Sequence, residues 1–104
     1  MKTELPNHPA NFATQYPAVW SAFENLADLC HEAGPLDAKT RRLVKLGIAI
    51  GNRSEGGVHS QVRNALAEGI SEKELRHAVL LALTTIGFPA SLAALAWVND
   101  LLVE

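Results

Sequence analysis

The chain has 104 residues, 48% of them apolar, with a net charge of −2 and a pI near 6.1. That length makes one domain able to bury a modest core, and that composition excludes a disordered chain. The charge carries no basic footprint for nucleic acid or an anionic membrane surface. The N-terminal stretch lacks an apolar signal core, and no apolar run reaches the ~18 residues that span a bilayer. One cysteine, Cys30, allows neither an internal disulfide nor a CxxC pair, so a cytoplasmic protein is expected.

In chain order, residues 1–15 read as a polar arm with Pro6 and Pro9, ending in a helical turn through Phe12 to Tyr16. Pro17 suits the first turn of a helix. Val19, Trp20, Phe23, Leu26, Ala27 and Cys30 recur at three- and four-residue steps, which predicts one apolar stripe and places Cys30 in the core. Gly34-Pro35 closes that helix. Asp37 is a good N-cap for a second helix to about Ile50, whose apolar second half predicts burial and close packing at Gly47. A third helix runs from about Gly56 to Glu68 and stops at Gly69. Ser71 to Glu74 form a capping box that opens a fourth, with Leu75, Val79, Leu80 and Leu83 turned inward. Gly87-Phe88-Pro89 breaks the chain before a fifth helix to about Val103. The expectation is an all-α, compact bundle of five principal helices plus the short arm, forming a single domain over residues 1–104. Its apolar faces exceed what one small bundle needs, which predicts a homo-oligomer.

Ser54-Glu55-Gly56-Gly57-Val58-His59-Ser60-Gln61 is the segment where chemistry is expected. It is a polar, glycine-containing turn feeding a helix start, where anions are favoured. His59 is its only group titrating near neutral pH, so it is the candidate acid/base; the alternative is a structural histidine bonded to the backbone. Ser54 is a candidate ligand contact, with helix capping the favoured role. Glu55 is a candidate for proton or substrate binding, with a salt bridge to Arg53 or Arg63 favoured. Arg42 can clamp a carboxylate bidentately or lie on a solvated face. Gln61 completes the candidate substrate-binding set. His77 is expected exposed or at a subunit contact, and His8 and His31 have no metal-ligand spacing.

From Leu36 to Val103 the order of features resembles the carboxymuconolactone decarboxylase and alkyl hydroperoxidase D superfamily. The resemblance rests on Leu36 to Leu43 entering a buried helix and on the Glu55-Gly56 turn. Val62 to Ser71 with Glu74-Leu75, and Gly87-Phe88-Pro89-Ala90, continue it. It implies an all-helical fold of the alkyl hydroperoxidase D type and assembly as a trimer or hexamer. The redox branch of that superfamily carries a glutamate, two cysteines and a histidine; here those positions fall on Arg42, Ser54, Gly57 and Gln61. Peroxide reduction needs a thiolate and a resolving thiol, so no thiol peroxidase activity is expected. The Gly87 to Ala90 segment is closer to the decarboxylase branch, which acts on a small carboxylated lactone without a cofactor. The resemblance thus implies a non-redox decarboxylase, lyase or isomerase of a small organic acid or lactone, with no cofactor and no metal. The alternative is a non-catalytic oligomeric binding or scaffold protein.

Overall fold

The computed structural model describes residues 9–102. The N-terminal part of the arm, including His8, lies outside the described residues, and the last helix ends at Asn99 in a turn, short of its expected end near Val103. All regular structure among the described residues is helical: α1 (Pro9–Gln15), α2 (Pro17–Glu32), α3 (Ala38–Gly51), α4 (Glu55–Ala67), α5 (Glu72–Ile86) and α6 (Phe88–Asn99). Six helices thus stand where five principal ones are expected. The difference is α1, a full helix where only a turn is read, held by ring contacts of Phe12 with Tyr16 and Trp20.

Local chemistry sets the helix ends. The Asp37 carboxylate accepts from the Thr40 amide at 2.8 Å and starts α3. Ser71 accepts from the Glu74 amide at 3.2 Å while Glu74 accepts from the Ser71 amide at 3.0 Å, closing the capping box of α5. Between α3 and α4 the chain turns in three residues. Ser54 N–H donates to the Ala49 carbonyl and Arg53 N–H to the Ile50 carbonyl. Arg53 takes φ +53°, the left-handed position usually given to glycine in this C-terminal motif. Gly69 fills the equivalent place after α4 with φ +84°.

Helices α3 to α6 form the core. α3 packs on α4 and α5, and α6 packs on the same two, so the four helices enclose one apolar centre. Leu46, Ile50, Val58, Val62, Leu75, Val98 and Leu101 fill it. α2 contributes no buried residue, and α1 and α2 pack chiefly on each other. The apolar stripe of α2 is therefore real as a periodicity but faces outward: Val19, Phe23, Leu26 and Leu29 are all exposed. Cys30 is exposed too, contrary to its expected place in the core, because the helix that carries it lies outside the bundle. Leu80 also faces out rather than in, on the outer side of α5. Gly47 does not mark close packing either, since a Cβ built there meets nothing within 4 Å and the residue borders an open groove between α3 and α5.

Candidate functional site

The segment expected to be a polar turn is mostly helix. Ser54 is the N-cap of α4, its hydroxyl accepting from the Gly57 amide at 3.0 Å. A Cβ at Gly57 would lie 2.8 Å from that hydroxyl, so the two residues fit as a pair.

His59 lies just past the first turn of α4 and is buried. Its Nε2–H donates to Asp100 Oδ2 at 2.8 Å, across 41 residues of sequence from the end of α6. The carboxylate accepts, so Nε2 carries a proton and Nδ1 is the ring nitrogen left for other partners. Glu55, one turn before His59, brings a carboxylate oxygen into the same place: ligand atoms of Glu55, His59 and Asp100 all lie within 4.8 Å of one another. Among the described residues Glu55 makes no ion pair with Arg53 or Arg63; it belongs to this trio instead. Two carboxylates and an imidazole also form a donor set that fits a divalent cation.

Arg63 continues the Glu55–His59 face, a further four residues along α4, and such positions are neighbours on a helix. Its Nη1 is buried without a hydrogen-bond partner among the described residues, and loss of water around the guanidinium pulls its pKa below the ordinary arginine value. An unpaired, half-buried guanidinium is poised to take a carboxylate.

Arg42 and Gln61 are placed elsewhere. Arg42 is buried and donates from Nε and Nη2 to the two carboxylate oxygens of Glu68 at 3.0 and 2.8 Å, and from Nη1 to Gln61 Oε1. The carboxylate that Arg42 clamps is thus the chain's own. This lock joins α3 to α4 on the side of α4 away from His59, because residues 59 and 61 differ by about 200° around a helix. The hydrogen bonds from Arg42 hold the Glu68 carboxyl below its usual pKa against the opposing effect of burial.

The sequence singled out His59 and Glu55, and the structure brings them together; it does not bring Arg42 or Gln61 to them. Asp100 and Arg63 are the missed members. The i, i+4 spacing of Arg63 from His59 was a usable signal, whereas nothing local pairs Asp100 with a histidine on another helix. His77 is exposed on α5, as one of its two expected positions. His31 bonds Lys45 and stands apart from any metal-ligand group.

Comparison with known proteins places this geometry in a lineage. The chain is 30% identical over 77 residues to an uncharacterized protein of Methanocaldococcus jannaschii, covering 73% of this chain and 74% of that one. It is 40% identical over 62 residues to the nitrosuccinic acid decarboxylase npaB of Metarhizium robertsii, covering 58% of this chain but only 42% of that longer protein. The profile of the Carboxymuconolactone decarboxylase family matches residues 17–100. With most of its length matched and Cys30 its single cysteine, the chain belongs to the carboxymuconolactone decarboxylase family as a member without a CxxC pair.

Proposed function

We propose that this protein is a cofactor-free decarboxylase, or a related lyase or isomerase, of a small organic acid or lactone. The reading rests on one observation: a buried His59 bonded to the part-exposed Asp100, with Glu55 beside it, lies one helical turn from the guanidinium of Arg63, which has no partner among the described residues. Arg63 holds a substrate carboxylate, and Asp100 fixes the ring of His59. In the decarboxylation the bond from carbon to the leaving carboxylate breaks and carbon dioxide departs. The electron pair stays on carbon, spread into an adjoining carbonyl, enoate or nitro group, and a proton carried on His59 Nδ1, the nitrogen not bonded to Asp100, passes to that carbon. Glu55 and the exposed side of Asp100 return a proton from solvent. The name of the Metarhizium relative, a nitrosuccinic acid decarboxylase, supports an acid activated in this way.

The test is turnover of a panel of small β-oxo, α-nitro and lactone acids, followed as carbon dioxide release. Loss of a positioned acid/base removes roughly 10²–10⁴ in rate, so His59→Ala should cut kcat by at least about 10². Arg63→Ala should act mainly on KM, and a chelator should leave turnover unchanged. Turnover that survives His59→Ala sinks the acid/base role. Turnover abolished by chelation and restored by a divalent cation makes Glu55, His59 and Asp100 a metal site instead.

A second reading, a non-catalytic oligomeric binding or scaffold protein, is favoured by the structural employment of Ser54, Arg42 and Gln61. It predicts no turnover with any acid and a thermal stability unmoved by them.

A further inference from the structure

Away from α4, a groove of about 480 Å³ runs between α5 and α6. That volume lies in the usual range for small-molecule sites, roughly 300–1,000 Å³. Its walls are apolar, built from Leu80, Leu83, Phe88, Leu92 and Leu95. Two observations give it chemistry. Ser91, 5% exposed, lines the groove, and its hydroxyl is shielded from solvent with no hydrogen-bond partner among the described residues. Buried hydroxyls are ordinarily bonded, so one left unpaired just behind a groove wall is a contact that a ligand oxygen fills once the serine turns about χ1. At the other end stand Lys73 and His77, one helical turn apart and both exposed, with no ion pair among the described residues. Their neighbour Arg76 is occupied by Glu72 and Asn99.

The spacing of these features selects a ligand shape. The Arg76–Asn99 bond sets the register of α5 against α6, and Ser91 lies eight residues before Asn99. At 1.5 Å per residue the hydroxyl is on the order of 10 Å from the cationic end. We infer that this groove is a binding site for an amphipathic carboxylic acid: its carboxylate at Lys73 and His77, its alkyl chain along the leucines, and a hydroxyl or carbonyl oxygen on Ser91. An ω-hydroxy acid of medium chain length meets all three demands, while a plain fatty acid leaves Ser91 unmatched. This site is independent of the chemistry proposed at His59.

Calorimetric titration of the purified full chain with ω-hydroxydecanoate and decanoate tests it. The hydroxy acid should bind more tightly, by about fivefold for one neutral hydrogen bond. Ser91→Ala should erase that preference while leaving decanoate affinity unchanged. The double variant Lys73→Gln/His77→Gln should weaken both acids, and Leu83→Trp, which fills the groove, should abolish both. Both acids should bind His59→Ala protein as they bind the wild type. No binding of either acid, or binding indifferent to Leu83→Trp, overturns the inference. So does a sedimentation result in which Leu92→Glu breaks an oligomer apart, since a second copy would then be the groove's occupant.

Discussion

Ser54 and Gly57 are a coupled pair, and the coupling can be measured. Gly→Ala inside a helix ordinarily stabilises by up to about 1 kcal/mol. At Gly57 the added Cβ would sit 2.8 Å from Ser54 Oγ and 3.3 Å from Ala49 Cβ, displacing the hydroxyl from its bond to the Gly57 amide. Loss of an N-cap costs about 1 kcal/mol. Gly57→Ala should therefore destabilise the wild type and cost clearly less in a Ser54→Ala background, read from urea unfolding. Effects that add within about 0.5 kcal/mol would show that the two side chains do not interact. Neither member of the pair is a thiol, so the pair itself can neither reduce a peroxide nor resolve a disulfide.

Two cross-helix contacts act at the scale of elements. Arg42 locks α3 to α4 through a bidentate pair with Glu68 and a bond to Gln61. Hydrogen bonds to charged groups contribute ≈1.5–3 kcal/mol, so Arg42→Ala should lower unfolding free energy by about that amount. Unchanged stability with loss of acid binding would instead return Arg42 to the ligand-clamping role that the sequence offered it.

The second contact ties α3 to the start of α5, where Lys39 donates to Glu74 at 2.8 Å. That bond, followed by those from Ser71, depresses the Glu74 carboxyl from 4.5 to about 2. A depressed carboxyl binds fewer protons in the folded state than in the unfolded one, so its contribution is complete above the unfolded value and fades as pH falls. Glu68 shifts in the same direction. Melting temperature should therefore drop as pH goes from about 4.5 towards 2, and Glu74→Gln should flatten that fall. An equal slope in the variant would remove Glu74 from the account.

On the scale of the whole molecule, the chief feature is apolar surface left uncovered. Val19, Phe23, Leu26 and Leu29 of α2, with Ile48 of α3, remain at least half exposed on one chain. Contiguous apolar faces of this kind mark association sites. A trimer or hexamer is the expected state, measured by light scattering on the purified protein. Phe23→Glu/Leu26→Glu should reduce its mass without unfolding α3 to α6, because neither residue belongs to the buried core. A wild-type monomer, or an oligomer indifferent to these charges, would exclude α2 as the interface.

Residue order by itself determined the helices, their caps and the lack of a CxxC pair. Capping and 3.6-residue periodicity act within a few residues, so Asp37, Ser54, Ser71 and Gly69 are readable in place. The helical class and the segment from Ser54 to His59 were legible for the same reason. Direction was not: periodicity says that a helix has an apolar face, not what that face meets. Hence α2 keeps its stripe but turns Cys30 outward, and Leu80 lines an open groove. Pairing was not legible either. Nothing in the order of residues names Glu68 as the partner of Arg42, or Asp100, at the far end of α6, as the partner of His59. Those contacts join residues 26 and 41 positions apart, and only the packing of α3 to α6 brings them within hydrogen-bond reach.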